Sequence, residues 1–107
     1  MYKIALVCRF GASTSILADS IQKSGKERGI ELYVKAFPED KLGTLFDDFD
    51  IILFGPQIQY RMSEIKKSFP ENFDRYINIA PEDFGMMNGS KILDQVIEKL
   101  NNKGDNK

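Results

Sequence analysis

Two hydrophobic periods alternate along this chain, and that alternation constrains its fold more than any other feature. Short apolar runs suited to buried strands are each followed by residues spaced for one face of a helix. Lys3 to Val7 (KIALV) ends at a turn signal, the pattern of a strand covered on both faces. Ile16, Leu17 and Ile21 then form an apolar stripe, which Gly29 closes as a helix C-terminal residue. Gly25 inside that stretch weakens a helix by about 1 kcal/mol against alanine. Glu31 to Ala36 (ELYVKA) alternates as a second strand. Pro38, Glu39 and Asp40 suit the opening of a short helix, with Leu42, Leu45, Phe46 and Phe49 on its buried face. Asp50 to Phe54 (DIILF) is the most strand-like segment, stopped by Gly55-Pro56. Ile58, Met62, Ile65 and Phe69 mark a third helix before Pro70, and Tyr76 to Ile79 (YINI) is a weaker strand. Ile92, Leu93, Val96, Ile97 and Leu100 make the cleanest helical stripe, with Asn88 as its cap.

Strand and helix in strict alternation imply parallel strands joined by right-handed crossovers. The class is therefore α/β: one domain over residues 1–101, an open sheet flanked by helices, with a polar, frayed tail at 102–107. Ligands of such sheets sit at the carboxyl ends of the strands. The loops expected there are 8–15, 37–40, 55–60 and 80–89.

Composition removes several kinds of chemistry. Fifteen basic and sixteen acidic residues are interspersed for a net charge of -1, without the basic stripe that nucleic acid requires. Histidine is absent, which excludes a Ser-His or Cys-His pair within the chain and argues against zinc. The single cysteine cannot form an internal disulfide and fits a reducing cytoplasm. No apolar run approaches the ~20 residues that span a bilayer, and the start at Met1-Tyr2-Lys3-Ile4 leaves no room for a signal peptide. No metal or cofactor is expected.

The lone cysteine stands where the first strand gives way to a Gly/Ser/Thr turn, in LVCRFGASTS. A free cysteine beside a strand is ordinarily a small buried hydrophobe. Here Gly11 lets backbone approach an anion, and Ser13, Thr14 and Ser15 supply hydroxyls at a helix start, whose unpaired N–H groups favour negative charge. A nucleophilic thiolate and a phosphate cradle then share one loop, Cys8 with Arg9, Phe10, Gly11, Ala12, Ser13, Thr14 and Ser15.

The loop resembles the phosphate loop of low-molecular-weight tyrosine phosphatases, but Thr14 stands where those enzymes carry an arginine. Arg9 directly follows the cysteine and cannot close the ring in the same way. No Asp-Pro segment near the carboxyl ends offers a general acid. A phosphocysteine would form here and hydrolyse slowly, which is the behaviour of a carrier.

Cys8, Gly11, Ser13, Thr14 and Ser15 also resemble the Cys-x-x-Gly-x-Ser-Thr-Ser loop of enzyme IIB components of the bacterial sugar phosphotransferase system, lactose/cellobiose (chitobiose) class. LFGPQIQY at 53–60, PEDFGMMNG at 81–89 and KILDQVIEKL at 91–100 agree with it. Arg9 and Phe10 depart from it, standing where small residues are usual. The resemblance implies a four-stranded sheet in order 2-1-3-4, of the low-molecular-weight tyrosine phosphatase fold. It also implies transfer from phosphohistidine of a cytoplasmic IIA protein to Cys8, then to a β-glucoside held by a membrane IIC permease. The carrier would be cytoplasmic, associating with the inner face of the membrane through IIC, and monomeric.

Gln57 and Tyr60 follow the third strand and either contact phosphate or a partner, or serve only the loop. Asp83 either meets a partner or caps a turn. Met86 and Met87 are either exposed contact surface or packing under the last helix. Asp50, at the amino end, reads as structural. Three rival functions remain: a small cysteine-dependent phosphatase or arsenate reductase, a flavodoxin-like module binding a phosphate-bearing cofactor, and a receiver domain. The last fails because Cys8 and Gly55 occupy positions that need acids.

Overall fold

The computed structural model describes residues 1–8, 11–38, 44, 45, 48–68 and 75–105, with side chains described outside 11–14, 57 and 102–105. In chain order these form β1 (Tyr2–Cys8), α1 (Gly11–Glu27), β2 (Leu32–Pro38) and β3 (Ile51–Phe54). A 3₁₀ segment (Pro56–Arg61) leads into α2 (Met62–Ser68), followed by β4 (Tyr76–Asn78), α3 (Pro81–Gly85) and α4 (Gly89–Asp105). The strands make one parallel sheet in the order β2-β1-β3-β4, as the resemblance implied.

Alternation within β1 and β3 builds a core on each face. Ile4, Leu6 and Cys8 point to one side with Ile51 and Leu53, under Leu17 and Ile21 of α1 and Ile92, Leu93 and Val96 of α4. Ala5 and Val7 point to the other with Ile52 and Phe54, covered by Ile58, Met62 and Ile65. Each buried aliphatic side chain contributes roughly 1.5–3 kcal/mol, so the central strands are held from both sides.

The amino end of the sheet is closed by side chains. The Lys3 N–H donates to Asp50 Oδ2 at 2.9 Å, and the Asp50 N–H donates back to the Lys3 carbonyl at 2.8 Å. Arg75 donates to the carbonyls of Asp50 and Phe49. Asp50 is thus structural, as its position predicts.

Helix α1 ends in a Schellman turn. Gly29 takes φ 73°, its N–H donates to Lys26 O at 3.2 Å, and the Ile30 N–H donates to Gly25 O at 2.8 Å. Gly25 proves to be more than a weak point, because a Cβ there would stand 2.3 Å from Leu32 Cδ1. At the start of α4, Gly89 has a similar role against α1: its Cβ would stand 2.6 Å from the Ser20 carbonyl carbon. Asn88 caps α4, its Oδ1 accepting from the Lys91 N–H at 3.3 Å.

Several boundaries differ from expectation. Pro38 ends β2 instead of opening a helix; an edge strand tolerates the missing N–H on its outer side. Thr44, Leu45 and Asp48 are helical, and Leu45 and Phe49 are buried, but Leu42 and Phe46 of that expected face lie outside the described residues. The helix expected from Ile58 begins as the 3₁₀ segment, and α4 runs on to Asp105, into the expected tail.

Candidate functional site

β1 ends at Cys8, whose side chain is 2% exposed and belongs to the core beneath α1. The strand lies between β2 and β3, with Cys8 beside Pro38 and Val7 beside Phe54. α1 starts at Gly11, so the segment 8–15 is a short link followed by helix. Gly11, Ala12, Ser13 and Thr14 contribute backbone to the first turn, and Ser15 is exposed just after them. The opening turn of an α-helix leaves backbone N–H groups without intrahelical partners and carries positive dipole charge. Those are the groups an anion at Cys8 would meet. Arg9 and Phe10 lie outside the described residues.

The loop after β3 begins beside the end of β1. The Gly55 N–H donates to Val7 O at 3.0 Å, tying the exit of β3 to the residue before the thiol. The 3₁₀ segment then holds the loop in a fixed path. Gln57 contributes backbone to it, and Tyr60 projects from it with 69% exposure. Gln59, which the sequence did not single out, donates from Nε2 to Ile79 O at 2.7 Å and Phe54 O at 3.3 Å. It joins the carboxyl ends of β3 and β4. Its shorter bond is to a carbonyl twenty residues away in sequence, which no local motif could reveal.

After β4, α3 and a tight turn lead into α4. Asp83 is 3% exposed, and its Oδ1 stands 3.4 Å from Nζ of Lys91. Its carboxylate therefore faces the start of α4 and not the solvent. Met86 is 78% exposed at the turn, whereas Met87 packs against the α1/α4 core. Met87 also takes φ 52°, a conformation uncommon outside glycine. Its carbonyl accepts from the Ser20 hydroxyl at 3.1 Å, which anchors the turn on α1. Ile16, expected in the apolar stripe of α1 with Leu17 and Ile21, is instead 60% exposed, while those two are buried. The carboxyl edge thus combines a buried thiol, a helix start and the exposed apolar residues Ile16, Tyr60 and Met86. No cluster of metal-ligating side chains occurs among the described residues, and none of their helices is long and apolar enough to cross a membrane.

Residues 3–95 match the family model for the lactose/cellobiose-specific IIB subunit of the phosphotransferase system. The chain is 35% identical to a galactose-specific EIIB component of Lactococcus lactis, over 84% of this chain and 88% of that one. Its fold is similar to the solution structure of a cellobiose-specific IIB component from Borrelia burgdorferi: TM-score 0.80 and 33% identity, covering 95% and 94% of the two chains. It is also similar to a YwlE mutant from Bacillus subtilis, of low-molecular-weight tyrosine phosphatase fold. That likeness has TM-score 0.61 and 11% identity, covering 94% and 99% of the two chains.

Proposed function

The chain belongs to the lactose/cellobiose-specific IIB subunit family of the sugar phosphotransferase system, and from that premise we propose that it is a phosphoryl carrier acting through Cys8. Its place in that system implies IIA and IIC partners in general. In the proposed first step, the Cys8 thiolate attacks the phosphorus of a phosphohistidine on IIA. The S–P bond forms as the N–P bond breaks, and the imidazole leaves with the electron pair. In the second step a hydroxyl of the sugar held by IIC attacks the same phosphorus. The O–P bond forms, the S–P bond breaks, the thiolate is regenerated and the hydroxyl proton passes to solvent or a base on IIC.

The observation that carries this reading is the position of Cys8 at the end of a central strand with α1 starting at Gly11. Backbone N–H groups at that helix start supply donors to phosphate oxygens in both steps without reorganisation. The hydroxyls of Ser13, Thr14 and Ser15 complete the proposed cradle, with Arg9, Phe10 and Ala12 contributing backbone or rim. Tyr60 and Met86, both exposed, are proposed to meet partners, and Gln57 to serve phosphate or partner. Asp83 is buried, and a supporting role for the turn that presents Met86 suits it better than direct contact. The carrier works in the cytoplasm and meets the membrane only through IIC. The sugar, of the cellobiose, lactose or chitobiose type, is set by IIC.

Intact-mass measurement tests the proposal, after incubation with phosphoenolpyruvate, the general phosphotransferase proteins and a cognate IIA. One phosphoryl group on the wild type and none on Cys8→Ser is the expected result. Absence of the adduct, together with hydrolysis of an aryl phosphate by the chain alone, would favour the phosphatase reading instead.

A further inference from the structure

β2 lies at the edge of the sheet, yet part of its outer side is already occupied. The Tyr2 N–H donates to Glu31 O at 3.1 Å. The odd-numbered residues here therefore turn their backbone groups toward β1, and Leu32, Val34 and Ala36 turn theirs outward. On that outer side the carboxamide of Gln22, from α1, donates through Nε2 to Leu32 O. Its Oε1 accepts from the Val34 N–H at 2.9 Å. One side-chain amide thus makes the two bonds that a residue in an adjoining strand would make.

The side chains show which strand would fit if Gln22 withdrew. Consider a second copy of this chain added antiparallel about a two-fold axis, using the groups of Leu32 and Val34. Leu32 then pairs with Val34 of the other copy, Tyr33 faces Tyr33, and Glu31 faces Lys35 in both directions. Tyr33, Glu31 and Lys35 are all exposed. Facing aromatic residues and facing opposite charges are both favourable cross-strand pairs. A groove of about 450 Å³, lined by Lys23, Lys26, Ile30 and Leu32 among others, opens beside this part of the edge. The neighbouring register is the poor one, and it too needs the Val34 N–H that Gln22 holds. Pairing through Val34 and Ala36 sets Lys35 against Lys35, and Pro38 has no N–H with which to extend the ladder.

We propose that Gln22 is a lock on a self-association edge. While its carboxamide is seated, the chain is monomeric; when it is removed, a second copy adds to β2 in the Tyr33-centred antiparallel register. This inference is independent of the chemistry at Cys8, since none of its residues belongs to the proposed cradle.

Sedimentation equilibrium over a wide concentration range tests it, with thermal melts by circular dichroism confirming that each variant is folded. The wild type is expected at the mass of one chain, 12.2 kDa, and Gln22→Ala to move toward twice that mass as concentration rises. Adding Lys35→Glu sets two carboxylates opposite each other and should weaken the dimer roughly tenfold. Adding Glu31→Lys as well should restore it. Gln22→Glu keeps the side-chain length but cannot donate to Leu32 O, and serves as the test variant if the alanine variant does not fold. A Gln22 variant that matches the wild type in mass at every concentration overturns the proposal. So does a dimer indifferent to the charge changes.

Discussion

Cys8 is 2% exposed and lies at the bottom of the carboxyl edge, so its replacement tests chemistry and packing together. Cys8→Ser is close to isosteric and should leave the melting temperature within a few degrees while abolishing phosphoryl transfer, measured by intact mass. Single alanine changes at Ser13, Thr14 and Ser15 should slow transfer about tenfold each, because a net hydrogen bond to a charged group is worth roughly 1.5 kcal/mol or more. Rapid-quench transfer from phospho-IIA reads that loss. Loss as complete as that of Cys8→Ser would assign the hydroxyl an essential role beyond the cradle. Gly89 is a second informative residue. A Cβ at this position meets backbone of Ser20, which cannot rotate away as a side chain can. Gly89→Ala should cost about 1–3 kcal/mol through forced separation of α1 and α4, read as a lower urea midpoint.

Among the elements, α4 shows what local sequence can specify. Its cap is a short polar residue before an apolar stripe, and Asn88→Ala should cost about 1 kcal/mol in thermal unfolding. The same kind of signal made α1 and the strands β1 and β3 legible: apolar runs bounded by glycine, proline or hydroxyl residues. The helical character of 56–61 was less so, because Gly55-Pro56 reads as a stop and the 3₁₀ geometry depends on bonds made elsewhere. The role of Gln59 rests on carbonyls at Phe54 and Ile79, and that of Gln22 on the edge of β2. Neither is written in periodicity. Gly25 was legible only as a propensity cost, since its benefit is a close approach to Leu32 across the following turn. At the site, the thiol and glycine were visible locally, whereas Ile16 became notable only once the fold left it exposed.

For the molecule as a whole, alkaline pH offers a test of the core on the α2 side. Burial pushes the hydroxyl of Tyr76 up from its ordinary value of 10.0, with the nearby Arg75 charge offsetting part of the effect. The folded chain thus holds this proton more tightly than the unfolded chain. The resulting stability is fully present below pH 10.0 and is lost as pH rises through the folded value. Urea midpoints measured across this range should fall less steeply for Tyr76→Phe than for the wild type, which isolates Tyr76 from the other groups titrating there.

The strand order has a consequence for how the chain reaches its folded state. β1 is flanked by β2, which follows it closely in sequence, and by β3, which arrives only after β2 and the segment beyond it. During synthesis β1 can therefore pair along one edge early, while its other edge stays open until residue 54 has emerged. The strand that ends in the thiol is begun first among the described strands and completed late. Its geometry belongs to the slow, non-local part of folding, and the surroundings of Cys8 are complete only when the two halves of the sheet have closed on it.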